Sequence, residues 1–323
     1  MKVFRLSFYL VVFVFSSIVR QGFADDVGRG GYAGSFLRMG LGARALGMGG
    51  AFVACVDDGY TAYYNPAGLV FLDRRWLTTT LNSMALDRRL YYLGYAQSVG
   101  GKRGLIRGGF SVGWLCAGVD GIDARDFSGN DLGTLSSWEH CLFFSFALNP
   151  APPFSIGFSG KLLYHRFPDI TDDGGAVSAV GLGFDIGIIV RPVGFLDLGL
   201  TLRDLRSQYT WDSQDLYERG TQTVDRFPQV VEAGLAARAF SNRAIFGFNL
   251  RKVEFCPLGY GMGMQIEGAK GVFLRCGLRS GVLAFGCGYR MEMGSRLIQM
   301  DYGFVPDPVA PRGNHVFTWS YAF

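Results

Sequence analysis

The sequence predicts an all-β protein: a single 14-stranded antiparallel transmembrane β-barrel, with an N-terminal hatch segment plugging its lumen. Three observations carry this. Large apolar and aromatic side chains alternate with polar ones in segment after segment from residue 75 to the end. The connections between those segments alternate between short and long, as turns and loops do at the two ends of an outer-membrane barrel. Glycine, at 47 of 323 residues, and aromatics, at 15%, are both in excess, a composition of strands and tight bends. No internal stretch approaches the ~18 consecutive apolar residues of a spanning helix.

In chain order, the first 24 residues read as a secretory signal peptide. Lys2 and Arg5 form the basic start and 6–19 the apolar run. Gly22-Phe23-Ala24 supplies small residues for cleavage after Ala24. Removing Lys2, Arg5 and Arg20 from the 31 cations leaves 28 against 27 acids. That near-neutral balance, with no basic patch, excludes nucleic acid as a partner. Residues 25–73 form a leader and the hatch, and 74–323 the barrel. The stretch 42–69, GARALGMGGAFVACVDDGYTAYYNPAGL, is too glycine-rich for an ordinary helix and too irregular for a strand. A fourteen-stranded barrel encloses more space than its own side chains fill. A compact apolar segment suits that space, because irregular backbone at membrane depth is tolerated only when buried in protein or facing a cavity.

Alternation and turn residues place strands at 75–84, 89–98, 104–117, 135–149, 153–166, 177–191, 195–203, 228–240, 243–254, 259–268, 271–279, 282–293, 296–304 and 314–323. Short connections fall at 99–103, 150–152, 192–194, 241–242, 269–270 and 294–295. The long ones, 118–134, 167–176, 204–227 and 305–313, all belong to the other set. An even strand count puts both chain ends on the short-turn, periplasmic side. In the last strand Phe317, Trp319, Tyr321 and Phe323 share one face. A chain ending on this aromatic series looks like the signal read by the outer-membrane insertion machinery.

Few residues suggest chemistry. Gly40-Leu41-Gly42-Ala43-Arg44-Ala45 fits a loose dinucleotide pattern, but no apolar strand precedes it. His140, His165 and His315 are scattered; His140 with Ser136, Ser137 or Ser145 is the only pairing that suggests a hydrolase. Asp57-Asp58 suits a cation less well than a hydrogen-bonded turn. The six cysteines include no C-x-x-C pair. No metal, no cofactor and no catalytic residue is expected.

The run Gly42-Ala43-Arg44-Ala45-Leu46-Gly47-Met48-Gly49-Gly50-Ala51-Phe52, followed by Asp57-Asp58 and Asn65-Pro66-Ala67-Gly68-Leu69, resembles the N-terminal hatch of the FadL-type outer-membrane transporters. Within these it is more similar to the branch with the PorV/PorQ-like proteins and an uncharacterised FadL-like family of treponemes. The resemblance covers about 30 residues strongly and implies an outer-membrane passive transporter for long-chain fatty acids or other hydrophobic compounds, gated by the hatch. Outer-membrane lipid and, during biogenesis, the barrel-insertion machinery are then its other partners. Asn65 and Pro66 are expected to fix the hatch turn, and Leu46, Met48 and Phe52 to touch ligand. Gly47, Gly49 and Gly50 are expected as hinge or close-packing positions of the gate. In the third strand Gly108-Gly109 is read either as a bend that opens the wall or as close packing against the hatch. The alternative implied by the same resemblance is a PorV-like scaffold or shuttle of a secretion system. A lipid-acting barrel enzyme and a small-solute porin stay open behind these.

Overall fold

The computed structural model describes residues 31–100, 107–168, 175–212, 220–307, 310 and 312–323. The expected signal peptide and its cleavage point lie outside the described residues. One antiparallel sheet contains β1 (Trp76–Ser83), β2 (Arg88–Val99), β3 (Arg107–Arg125), β4 (Asp131–Ala151), β5 (Phe154–Phe167), β6 (Val177–Val193), β7 (Leu196–Leu205), β8 (Gln208–Asp212), β9 (Gln222–Arg226), β10 (Val230–Ala239), β11 (Ala244–Val253), β12 (Leu258–Glu267), β13 (Val272–Arg279), β14 (Val282–Met293), β15 (Arg296–Val305) and β16 (Asn314–Ala322). Fourteen of them close a ring: β1 to β7 in sequence, β7 to β10, β10 to β16 in sequence, and β16 back to β1 from Trp76↔Ala322 to Ser83↔His315. These are the fourteen strands read from the sequence.

The structure corrects two of the predicted loops. The 204–227 connection contains the β8–β9 hairpin, which pairs with the outer end of β6 at Ala179↔Trp211 and Val180↔Thr210. The 118–134 connection is mostly strand, because β3 and β4 continue as a ribbon to a turn at 126–130. That ribbon carries Asp120, Asp123, Arg125 and Thr134. With neither face in a core or a bilayer it has no apolar alternation to betray it.

Outward-facing positions expose large apolar side chains on strand after strand, among them Trp114, Phe146, Leu182, Phe246, Leu274 and Trp319. Such a continuous apolar surface suits a lipid bilayer rather than water. Phe317 and Trp319 stack along it, as do Tyr321 and Phe323. Inward positions are polar, including Lys161, Asp185, Asn249, Gln265, Arg275 and Asp301, all buried. Lys161 Nζ lies 2.7 Å from both Asp185 Oδ1 and Asp204 Oδ1, and Arg275 Nη1 lies 2.7 Å from Asp301 Oδ1. Each of these five charges therefore has an ionic partner, as a low-dielectric interior favours.

Residues 35–71 occupy the lumen. The chain forms a 3₁₀ turn (Ser35–Arg38), a short helix α1 (Ala43–Gly47), a single turn α2 (Thr61–Tyr64) and a 3₁₀ helix (Pro66–Phe71). Its apolar residues, Phe36, Leu37, Leu41, Met48, Phe52, Tyr64 and Leu69 among them, join wall residues such as Leu90, Tyr92, Leu115 and Phe143 in one core. These helices are far too short to hold by propensity alone, so their packing inside the ring maintains them.

The glycine excess has a physical explanation here. Around the ring the wall turns glycines toward this segment, in the order in which the segment passes them. A Cβ on Gly303 of β15 would meet Ala43, and one on Gly286 of β14 would meet Gly47. Gly277 and Gly263 face Met48 and Gly49, Gly247 faces Ala51, and Gly234 and Gly199 face Val53. On the far side Gly187 faces Asn65, Gly157 faces Pro66 and Ala67, and Gly109 faces Leu69. The segment's backbone thus runs around the inner wall at a distance that only glycine permits.

Candidate functional site

The luminal segment separates two cavities. At the inner end, where Arg75 and Phe323 exchange two backbone hydrogen bonds of 3.1 Å, lies a cavity of about 570 Å³. Its walls carry Arg44, Asp57, Asp58, Arg74, Arg191, Asp197, Arg238, Glu267 and Arg290. The charges are mixed and largely paired: Asp197 takes Arg191 at 3.0 Å and Arg238 at 2.7 Å, and Glu267 pairs with Arg290. Phe71, Trp76, Ile245, Phe273 and Leu297 lie among these charges, so the vestibule is a charged cavity with apolar patches.

The outer cavity, about 500 Å³, has a different chemistry. Met39 and Leu46 of the luminal segment and Leu258, Val282, Ala284 and Val316 of the wall make it apolar. Four guanidinium groups, Arg38, Arg88, Arg251 and Arg279, reach it, and no carboxylate lines it among the described residues. Arg88 is spent on Asp307 at 2.7 Å. Arg279 donates to the Met39 and Arg38 carbonyls at 3.4 and 3.2 Å. Arg251 donates one Nη1 bond to the Arg38 carbonyl at 3.4 Å. Its buried Nε and Nη2 have no hydrogen-bond partner among the described residues. Buried donors left unmade cost free energy that a bound acceptor would recover. A smaller recess leads on past Arg251 and Arg279 to Tyr63, Arg203 and Glu232.

The segment between the cavities is pinned from several sides. Asn65, fully buried, donates from Nδ2 to the Val53 carbonyl at 3.0 Å and to the β6 carbonyl of Ile188 at 3.1 Å. Its Oδ1 accepts the Ala67 amide at 3.1 Å. With Pro66 at the first position it caps the 3₁₀ helix, since proline's missing N–H costs nothing there. Arg203 of β7 donates to the Leu37 carbonyl at 2.8 Å and covers the Tyr63 ring. Tyr64 Oη donates to the Leu41 carbonyl and accepts the Leu41 amide.

Arg44 is the electrostatic centre of the segment. It sits 2.6 Å from Asp57 Oδ1 and 2.9 Å from Asp58 Oδ2, reaches Gln265 of β12 at 2.9 Å, and lies over the Phe52 ring. Asp57-Asp58 is thus a clamp on an arginine rather than a cation site, and no cluster of potential metal ligands occurs among the described residues. Burial pushes the Asp58 carboxyl up to about 6, with Arg44 pulling against it. Burial works on Asp57 in the same sense, but the directly bonded Arg44 prevails and holds it at about 2.

The sequence-derived site residues separate in space. Leu46 lines the outer cavity. Met48 and Phe52 are fully buried within the core, so their part is packing and not ligand contact in this state. Gly49 and Gly50 have φ of +65° and +72°, and a Cβ on Gly49 would press on the backbone of Leu278 and Met262. A Cβ on Gly47 would lie 3.2 Å from the Gly286 Cα. The Gly108-Gly109 opening does not form. Both ladders of β3 run unbroken there, Val99↔Gly108↔Leu148 and Ser98↔Gly109↔Ala147, because Gly109 makes room for Leu69 of the luminal segment. The suggested His140–serine pairing fails as well. His140 faces outward between Trp114 and Tyr164, Ser145 bonds Ser159, and Ser137 Oγ contacts His165 Nε2 at 3.0 Å. Cys55, Cys116, Cys141, Cys276 and Cys287 are free thiols. The outer-cavity arginines were missed in the sequence because they belong to four distant segments, and their convergence is a property of the closed ring.

No protein-family model and no curated protein matches the sequence. Solved structures do. The toluene transporter TbuX of Ralstonia pickettii superposes with a TM-score of 0.62 at 13% identity, over 88% of this chain and 98% of that one. The toluene transporter TodX of Pseudomonas putida gives 0.62 at 16% identity, over 88% and 99%. The chain has the FadL-type barrel fold. A FadL homologue of Pseudomonas aeruginosa shares it, with a TM-score of 0.58 at 12% identity over 87% of this chain and 96% of that one. At these identities the FadL-type likeness is one of architecture, and the chemistry of the two cavities is this chain's own.

Proposed function

We propose that this FadL-type barrel is an outer-membrane passive transporter of hydrophobic compounds that carry an anionic head, long-chain fatty acids being the type, and that residues 35–71 act as its hatch. One observation carries the reading: among the described residues, the outer cavity combines apolar walls with arginines and no lining carboxylate, and Arg251 keeps two buried donors unpaired. An aliphatic chain gains about 0.8 kcal/mol for each methylene it buries. A carboxylate supplies the charge-assisted acceptor that Arg251 lacks. The toluene transporters of the same fold have ligands without a charge, and this arginine set argues for a different substrate from theirs. Diffusion down a gradient requires no cofactor. Uptake of a long-chain fatty acid into liposomes containing the purified barrel tests the reading, with the methyl ester as control. Faster uptake of the acid than of the ester is expected, and uptake equal to that of empty vesicles would end it.

A second reading, a scaffold for an external protein partner, draws on the β3–β4 ribbon. Its turn is stapled by Asp126, whose Oδ1 accepts the Ser128 and Asn130 amides at 2.8 Å, and it presents a fully exposed Phe127. Crosslinking from position 127 in whole cells separates the two: recovery of a single stoichiometric protein favours the scaffold.

A further inference from the structure

The small recess beyond the outer cavity is where buried polar groups stay unsatisfied. Its volume is about 40 Å³, and Arg38, Arg203, Glu232, Asn249, Arg251 and Arg279 lie in its lining. That is room for roughly three waters or one small polar head, and not for an alkyl chain. Arg251 and Arg279 line the recess and the outer cavity alike, so a head seated in the one leaves its chain in the other.

Asn249 of β11 is the polar group that an anion leaves unused. It is 3% exposed and shares its row of the sheet with Gly234 and Gly261, its partners on the two ladders. Its Nδ2 donates to Glu232 Oε1 of β10. A carboxylate only accepts, so this bond fixes which end of the amide is which. The Oδ1 end turns over β12, into the place that a Cβ on Gly261 would take. There it is buried, and no donor reaches it among the described residues.

The other unpaired buried side-chain atoms of this lining are all donors: Arg203 Nε, and Arg251 Nε and Nη2. Glu232, the one carboxylate among the described lining residues, is engaged with the Asn249 amide. The recess therefore offers guanidinium donors together with a single amide acceptor. A bare carboxylate would pair with the arginines and leave Asn249 Oδ1 buried without a donor, which costs free energy. A head with a hydroxyl near its carboxylate satisfies both. Asn249 and Arg251 stand two residues apart on one face of β11, about 7 Å along the strand, so the two groups of the ligand must lie within a few bonds of each other.

We infer that the site selects hydroxy acids: long-chain amphiphiles whose carboxylate meets Arg251 and whose hydroxyl, on the α or β carbon, donates to Asn249 Oδ1. The inference rests on the reading of the outer cavity as a site for an anionic ligand, and it adds the residue that chooses between heads. Leu46, Leu258 and Val316 of the outer cavity receive the alkyl chain.

Displacement of a fluorescent long-chain carboxylate from the full-length barrel in detergent provides the test. One more hydrogen bond to a buried neutral acceptor corresponds to a roughly 3–10-fold gain in affinity. β-Hydroxypalmitate should displace the probe better than palmitate by that factor. β-Methoxypalmitate, which has the oxygen without the hydrogen, should do no better than palmitate. In Asn249→Ala the hydroxy and plain acids should bind alike. Equal binding of those two acids by the wild type overturns the inference and leaves the anion site standing. A methoxy acid as good as the hydroxy acid overturns it as well, as does a preference that survives Asn249→Ala in a folded barrel. The ligand series uses the wild type alone, so it decides the matter even if that variant fails to fold. A wild type that binds neither the probe nor any of the acids, indistinguishable from Arg251→Gln, removes the ligand reading and this inference with it.

Discussion

Replacing Gly277 by alanine is the sharpest probe of how the hatch is held. A Cβ at this position of β13 would fall on the backbone nitrogen of Gly49 and the carbonyl carbon of Met48, far inside van der Waals contact. Both are main-chain atoms, so no side-chain rotation relieves the clash, and the segment must move away from the wall. Overpacking of this kind costs about 1–3 kcal/mol, which multiplies the population of an unseated hatch roughly 5–150-fold. The barrel itself should survive, because the paired residue across each ladder is also small: Gly263 on β12 and Ala284 on β14. Single-channel recording in planar bilayers reads the unseated state directly, and the mobility of unheated protein on a gel reports the folded ring. The control is Gly160→Ala on β5, where nothing lies within 4 Å of the new atom. Openings should become frequent in Gly277→Ala and stay rare in Gly160→Ala. A Gly277→Ala channel as quiet as the wild type, with the ring folded, would refute the claim that wall glycines set the hatch's seat.

Three further outcomes are expected. Asn65→Ala loses the bonds to Val53, Ile188 and Ala67 and leaves buried carbonyls unpaired. Loosening of the hatch by about 2–4 kcal/mol should appear as faster proteolysis within residues 35–71. Asp58, raised to about 6, favours the seated hatch most below its ordinary unfolded value of ~4 and loses that contribution as pH rises through 6. Asp57, lowered to about 2, acts oppositely: its contribution is complete above ~4 and is lost as pH falls toward 2. Protease resistance of the segment should therefore be greatest near pH 4 and fall on either side, and Asp58→Asn should flatten the limb above that pH. Phe323→Ser removes an exposed aromatic from the outward face of the last strand. Pulse-chase assembly in cells should slow, while purified protein refolded in detergent keeps its ring; equal assembly in cells would show that this aromatic is not read.

The ring was legible because a strand with lipid on one side and a polar lumen on the other must alternate. Phe317, Trp319 and Tyr321 against Val316, Thr318 and Ser320 show this as clearly in letters as in space. The β3–β4 ribbon and the β8–β9 hairpin were hidden because strands standing in water carry no such contrast. Asn65-Pro66 announced a turn by local chemistry alone. Met48 and Phe52 could be recognised as apolar, but whether an apolar residue of a plug meets ligand or core depends on its neighbours.

The sequence by itself determined the number of strands in the ring, their boundaries to within a few residues except at the outer ends of β3 and β4, and the presence of a segment that is neither helix nor strand. Local alternation and turn chemistry suffice for those. Only the tertiary structure decided what the glycines are for: spread over ten strands, they become a track for the segment's backbone once the ring closes. It also decided that Gly109 packs against Leu69 instead of opening the wall, and that arginines from the plug, β2, β11 and β13 converge on one apolar cavity. Those relations join residues up to 260 positions apart, as where Gly303 packs on Ala43, and distance in sequence carries no trace of them.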